Sequence, residues 1–129
     1  MPWPEPFVQA FVRGVLCNWL VTLAVWMTMA STDVTGKIWA SFFPIMAFVA
    51  SGFEHCVANM YFLTVGMLLR GNPAAAAASG LTEQALSSVG MGGYLANMVP
   101  VTLGNIVGGA FFVAVLYYFV YRESLKDLQ

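Results

Sequence analysis

The stretch SGFEHCVANMYF, Ser51–Phe62, decides how this chain folds, because it sets Glu54 beside His55, the single histidine, inside a long apolar run. From residue 38 to residue 69 no other Asp, Glu, Lys, Arg or His occurs. Ionisable groups are costly in apolar surroundings, and where they occur they usually line a pathway or pair with each other. These two side chains are therefore the first candidates for a functional site.

The composition indicates a membrane protein. Of the 129 residues, 60% are hydrophobic and 9% are charged, whereas a soluble domain has about a quarter charged residues. Five Lys and Arg residues and a net charge of −1 form no basic patch, which argues against nucleic acid as a partner. Cys17 and Cys56 lie in apolar runs at a spacing typical of neither a metal site nor a disulfide framework. We expect no cofactor and no bound metal.

Three apolar stretches are long enough to cross a bilayer, which takes about 20 residues. The predicted spans are 11–30, 38–69 and 97–121, with Pro100 in the first turn of the third. Residues 70–92 form a linker that has room for one short helix beginning near Thr82, and residues 122–129 form a polar tail. The sequence therefore predicts an all-α chain with a single membrane domain, 1–129.

The middle span is too long for one upright helix. Residues 38–69 would extend about 48 Å at 1.5 Å per residue, against a hydrocarbon core of about 30 Å. Ser51 and Gly52, near its centre, are typical of either a break or a close helix contact. A break near 51–52 would place Glu54 and His55 at the start of a half-helix, where free N–H groups and the positive end of the helix dipole attract anions.

The basic residues predict an orientation in the membrane. Arg13 and Arg70 fall on one side of the predicted spans, and Lys37, Arg122 and Lys126 fall on the other. Because basic residues are enriched on the cytoplasmic side, the second group is expected there. The predicted location is the cell (cytoplasmic) membrane, with the chain crossing it more than once.

Three motifs resemble the formate/nitrite transporter family. They are CNWLVTLAVWM at 17–27, FVASGFEHCVANM at 48–60 and TLGNIVGG at 102–109, in the order of that family and at suitable separations. The match covers roughly residues 11–123 and corresponds to the last three of the family's six spans.

The resemblance implies an aquaporin-like fold of two inverted three-helix repeats, of which this chain would supply one half. It also implies a homopentamer with a separate pore in each protomer. In the family the fifth span is interrupted and carries a central His that matches His55. An aromatic constriction matches Phe48, and an Asn of the fourth span matches Asn18. The implied function is channel-like transport of small monovalent anions such as formate or nitrite.

Each side chain of this candidate pathway has alternatives. The imidazole of His55 ordinarily titrates near neutral pH, so it either donates an N–H to the anion or passes it a proton. Asn59, one turn later, either donates to the same anion or orients the imidazole, and Glu54 either contacts the substrate or forms a structural hydrogen bond. For Asn18, a vestibule role stands beside an interhelical hydrogen bond. Phe48, without the resemblance, is an ordinary lipid-facing or core residue.

The third span carries a second polar signal. Gly104 and Gly108 form a small-xxx-small pair that permits close helix packing, the role expected for both. Asn105 lies between them, and its amide either caps a backbone group, packs, or faces the pore.

The chain also departs from the family pattern. The first three spans, with their own interrupted helix, have no counterpart here, and residues 1–11 lack the Lys that family members tend to have ahead of the fourth span. We expect a fragment of a longer gene product, with the missing N-terminal half completing the pore; a second, oppositely oriented copy is the other arrangement.

Two other functions stay open. The first is a truncated or non-transporting integral membrane subunit. The second is a membrane enzyme or haem protein that uses His55, although haem usually takes two axial ligands and the chain has one His. Neither explains the three motifs, and we expect no enzymatic activity.

Overall fold

A computed structural model describes residues 5–126, and all regular structure within that range is helical. The helices are α1 Phe7–Met29, α2 Val34–Ala50, α3 Cys56–Leu69, α4 Pro73–Ser79, α5 Glu83–Ser88 and α6 Met91–Ile106. Helix α6 continues through a π-helical stretch, Val107–Val115, into α7, Leu116–Lys126. The all-α prediction is confirmed.

Local capping residues explain where the shorter helices begin and end. Asn72 caps α4 with Pro73 in its first turn, and Gly80 ends α4 with a φ of 65°. Thr82 accepts the Ala85 N–H at 3.2 Å and starts α5, where the sequence predicts a short helix. The alanine run forms a second short helix, so the region 70–92 contains two short helices and the first two residues of α6.

Helix α1 packs along α6 and the π-helical stretch, and the two helical segments run parallel. A Cβ on Gly104 would meet the backbone of Phe11 and Val15, and a Cβ on Gly108 would meet the backbone of Val15 and Trp19. The missing side chains therefore allow the two backbones to touch, which is the packing role expected for these glycines.

Aromatic contacts continue the same interface toward the far end of α1. The rings of Trp19 and Phe112 stack with centroids 4.8 Å apart, and those of Trp26 and Tyr121 are 5.6 Å apart. The buried hydrophobic residues of the described chain belong to α1, α6 and the π-helical stretch: Ala10, Cys17, Ala24, Met98, Val101 and Val113. These elements therefore supply the apolar core, while α2 packs against α1 without a buried residue of its own.

The start of α6 corrects one expectation. Pro100 lies inside α6, which begins at Met91, and not in the first turn of a helix. Without an N–H, Pro100 cannot bond the carbonyl of Ala96. The position is buried, as are the neighbouring Asn97 and Met98, and contacts with packed neighbours keep the chain helical around such a proline.

Within residues 5–126, two helices are long and apolar enough to cross a membrane by length and composition, Phe7–Met29 and Met91–Ser124. Helices α2 and α3 are apolar but shorter. At 1.5 Å per residue they extend about 26 Å and about 21 Å, so neither alone reaches the roughly 30 Å of a hydrocarbon core.

Candidate functional site

The backbone leaves the helical conformation directly after Ala50. Gly52 adopts a φ of 64°, its N–H bonds the Val49 carbonyl at 3.1 Å, and the Phe53 N–H bonds the Phe48 carbonyl at 3.1 Å. These two bonds are the Schellman pattern that ends many helices, and glycine is the residue suited to its left-handed position. Ser51-Gly52 therefore ends α2.

His55 starts the next helix with its own side chain. Its backbone is extended, with φ −110° and ψ 113°, and its Nδ1 accepts the Val57 N–H at 3.2 Å. In a neutral imidazole one nitrogen accepts and the other donates, so this bond assigns the ring proton to Nε2. The Phe48 ring lies nearby, with its centroid 5.9 Å from that of His55.

The start of α3 is less open to an anion than the sequence predicts. The Cys56 N–H donates to Asn105 Oδ1 at 3.0 Å, and the Val57 N–H donates to the His55 ring. Two of the first three amide groups of the helix are therefore occupied by side chains of the protein itself. The donors that this arrangement leaves for a solute include the imidazole N–H.

Asn105 hydrogen-bonds the irregular segment, residues 51–55 between α2 and α3, and also contacts α1. Its Nδ2 donates to the carbonyls of Glu54 and Gly14, both at 2.9 Å, and its Oδ1 accepts the Cys56 N–H. Its own carbonyl accepts Asn18 Nδ2 at 2.7 Å. Of the roles expected for Asn105, the observed one is capping of backbone groups.

The Glu54 side chain lies in a separate cluster of amides. Its Oε2 accepts Asn59 Nδ2 at 2.5 Å and Asn97 Nδ2 at 3.2 Å. Asn59 Nδ2 also donates to Asn97 Oδ1 at 2.8 Å. The amide nitrogen of Asn59 is thus directed at Glu54 and Asn97, and these hydrogen bonds hold the Glu54 side chain in place.

The structure divides the five predicted site residues. Phe48 lies beside His55, Glu54 is hydrogen-bonded to Asn59, and Asn18 makes an interhelical hydrogen bond to the carbonyl of residue 105. Asn97 was missed. A signal existed, because residues 97 and 105 stand at i and i+8 of one apolar helix and so share a face.

Residues 5–126 contain no group of three or more His, Cys, Asp or Glu side chains able to hold a metal ion. The polar groups at the interruption are instead one imidazole, one carboxylate and several amides. Such groups suit hydrogen bonding to a small polar solute.

Two apolar helices of membrane-spanning length in residues 5–126 accompany a polar interruption between two shorter ones, an arrangement typical of helical membrane transport proteins. The chain belongs to the formate/nitrite transporter family, whose model matches residues 3–119. The family resemblance carried by the three motifs is therefore confirmed.

Similar curated proteins include transporters and channels for formate. A probable formate transporter of Methanothermobacter thermautotrophicus is 51% identical over 118 residues, which cover 92% of this chain and 37% of that protein. The formate channel FocA of Escherichia coli strain K12 is 36% identical over 122 residues, which cover 92% of this chain and 43% of FocA. The chain thus spans about two fifths of the length of these relatives.

Solved structures are similar over the same range. A pentameric formate channel with formate bound matches with a TM-score of 0.80 and 38% identity, over 92% of this chain and 48% of that chain. An ion channel of the FNT family matches with a TM-score of 0.70 and 34% identity, over 91% of this chain and 41% of that chain. The chain shares the fold of the corresponding part of these channels.

Proposed function

We propose that the protein conducts small monovalent anions, such as formate or nitrite, along a channel-like path that passes His55. The observation that carries the proposal is the interruption between α2 and α3, where an imidazole with its Nε2 proton available follows an aromatic ring. Membership of the family and the formate channels among the relatives support the class of substrate.

The mechanism follows from the cost of dehydration. A small anion that enters an apolar constriction loses water and needs a compensating donor. The Nε2 proton of His55 supplies that donor, and the ring of Phe48 forms the constriction beside it. Glu54 and Asn59 form the polar side of the pathway behind the imidazole, while Asn18 holds the helix that carries Asn105.

The two short helices form one interrupted membrane segment in this proposal. Helices α2 and α3 together are long enough to cross, and α1 and the α6–α7 segment supply two further spans. The half-buried polar groups of the interruption then lie at mid-depth, where non-helical backbone is tolerated if protein or water covers it. The protein lies in the cell membrane with Lys37, Arg122 and Lys126 on the cytoplasmic side.

A second three-helix unit completes the pore. Helices α2 and α3 contain no buried residue, and an apolar groove runs along α2, lined by Ile38, Phe42, Ile45, Met46 and Val49 among others. The relatives are more than twice as long as the matched segment, which supports an N-terminal half as the occupant, with a second copy as the other arrangement. The assembled protein is a homopentamer, in keeping with the pentameric channel it resembles.

Anion flux through the complete gene product in proteoliposomes tests the proposal. We expect His55→Ala to lower formate flux about tenfold, because the hydrogen bond to a charged solute is lost. Val57→Ala is the matched control, since this exposed neighbour contributes only its backbone N–H to the site. Unchanged flux in His55→Ala, or no flux of formate, nitrite or any similar anion in the wild type, would contradict the proposal.

A further inference from the structure

We infer that Asn105 is the positioning residue that holds His55 in the permeation path. The inference rests on the proposed function and adds to it the residue through which the imidazole is oriented. Asn105 does not touch the anion in this scheme; it acts through the backbone on either side of His55.

The first argument is the position of its hydrogen bonds along the chain. Asn105 Nδ2 donates to the carbonyl of Glu54 at 2.9 Å, and Oδ1 accepts the N–H of Cys56 at 3.0 Å. Residues 54 and 56 are the direct neighbours of His55. Its peptide units therefore cannot rotate without breaking a bond to this amide.

The second argument is chemical. The two backbone groups need a donor and an acceptor at the same place, and a primary amide supplies both from one planar group. A carboxylate has no donor, and an apolar side chain has neither. Asn105 is 4% exposed, so water is not at hand to replace either bond.

The third argument is that the amide is itself held in place. Its second N–H donates to the Gly14 carbonyl at 2.9 Å, and a Cβ at Gly14 would come within 3.2 Å of Asn105 Nδ2. Asn18 bonds the main-chain carbonyl of the same residue. Through Asn105, the orientation of His55 is thus fixed by the packing of α6 against α1.

The neighbouring amides do not share this role. Asn59 and Asn97 bond the side chain of Glu54. Within residues 5–126, it is the Asn105 side chain that hydrogen-bonds backbone groups on both sides of His55.

Two variants and one control separate positioning from general stability. Asn105→Leu removes all three side-chain bonds at similar volume, and Asn105→Ser keeps a hydroxyl that is too short to span both backbone groups. Val101→Ala is the control, because Val101 is fully buried one turn earlier on α6, where its carbonyl lies against Gly14, and its apolar side chain cannot form a hydrogen bond to residues 51–55. Assembly of each variant is checked by size-exclusion chromatography in detergent.

The first readout is the imidazole itself. In protein labelled with nitrogen isotope at histidine, the His55 ring signals are assigned by their loss in His55→Ala. We expect these signals to shift or split in Asn105→Ser and Asn105→Leu and to stay in place in Val101→Ala. Wild-type His55 signals in an assembled Asn105 variant would overturn the inference.

The second readout is anion flux in a double-mutant cycle. We expect Asn105→Leu to lower flux about tenfold, Asn105→Ser to lower it less, and neither to add to the loss in a His55→Ala background. Fully additive losses, or failure of both Asn105 variants to assemble while Val101→Ala assembles, would show a fold-wide role and overturn the inference. If His55→Ala alone keeps wild-type flux, the proposed function fails, and the imidazole signals still report whether Asn105 positions the ring.

Discussion

One oxygen of the Glu54 side chain accepts hydrogen bonds from the side chains of Asn59 and Asn97. A polar group in apolar surroundings is costly unless hydrogen bonds replace the lost water. The third bond, between Asn59 and Asn97, makes the cluster a closed triangle in which each member fixes the others. The carboxylate is thereby held by amides, and no basic partner for it occurs within residues 5–126.

Replacement of Asn97 tests this cluster. Asn97 is 1% exposed, and Asn97→Leu removes one donor from Glu54 and one acceptor from Asn59. We expect a loss of about 2 kcal/mol in the free energy of unfolding in detergent. Met98→Leu, a volume-conserving change at the next buried position, should cost less than about 1.5 kcal/mol. Equal effects of the two changes would mean that the triangle contributes little.

Phe48 offers a residue-scale test of the constriction. Its ring is the aromatic neighbour of the imidazole, so Phe48→Ala should widen the path and admit larger monocarboxylates. The measurement is the ratio of propionate to formate flux, which we expect to rise. Phe43→Ala removes an exposed ring from the same helix and should leave that ratio unchanged; a matching rise would argue against Phe48 as the constriction.

At the scale of elements, the interruption is built from two ordinary helix caps placed close together. A glycine Schellman motif ends α2, and an imidazole starts α3 only a few residues later. Each cap satisfies backbone groups that would otherwise be left without partners in an apolar environment. The result is a short non-helical segment that carries a donor side chain.

Gly52 and Gly80 share the same backbone conformation, so substitutions at the two positions can distinguish the cost of backbone strain from an effect on transport. Gly52 and Gly80 have φ values of 64° and 65°, and a Cβ on either meets no atom within 4 Å. Gly52→Ala and Gly80→Ala should each lower the free energy of unfolding by about 1–2 kcal/mol, the cost of the left-handed backbone for alanine. Only Gly52→Ala should lower anion flux. Equal flux in the two variants would show that transport does not depend on the interruption between α2 and α3.

The α1–α6 contact gives a second prediction for an element. A Cβ at Gly104 would collide with the backbone of α1, whereas a Cβ at Gly92 on the same helix meets nothing within 4 Å. Gly104→Ala should cost about 3 kcal/mol, measured by thermal unfolding in detergent. Gly92→Ala should be neutral or stabilise the protein by up to about 1 kcal/mol; a tolerated Gly104→Ala would disprove the close backbone contact.

At the scale of the whole molecule, helix directions decide which ends lie together. The α6–α7 segment runs parallel to α1, and α3 runs antiparallel to α6, because Asn59 meets Asn97 and Arg70 NH1 donates to the Val89 carbonyl at 2.7 Å. The turn after α1 and the C-terminal part of α7 therefore share one end. The linker that contains α4 and α5 lies at the other end.

Labelling from either side of the membrane tests this arrangement. A cysteine at Ser31, in the turn after α1, should react with an impermeant maleimide only from the cytoplasmic side, and a cysteine at Ser87, in α5, only from the outside. The physical reason is the bias of Lys and Arg toward the cytoplasm. Reaction of both positions from the same side would contradict the proposed spans.

The place where a break is possible could be predicted because its signals are local, although the same signals also fit a close helix contact. A Ser-Gly pair followed by Glu-His inside an apolar run contains both caps, and glycine is the residue that the left-handed turn requires. The short helix at Thr82 was predictable for the same reason. The start of α6 was not, because residues 91–96 have no strong local cap and the helix there is stabilised by its neighbours.

The sequence alone determined the helical class, the membrane character and the family, and it marked Ser51-Gly52 as either a break or a close helix contact, since composition, motifs and capping residues can be read from neighbouring positions. Only the tertiary structure decided which side-chain amides hydrogen-bond residues 51–56. Asn105 is separated by 49 residues from Cys56 and by 51 from Glu54, and Asn97 by 43 from Glu54. These groups meet because α3 packs against α6 and α6 against α1, and no local pattern states which faces of distant helices come into contact.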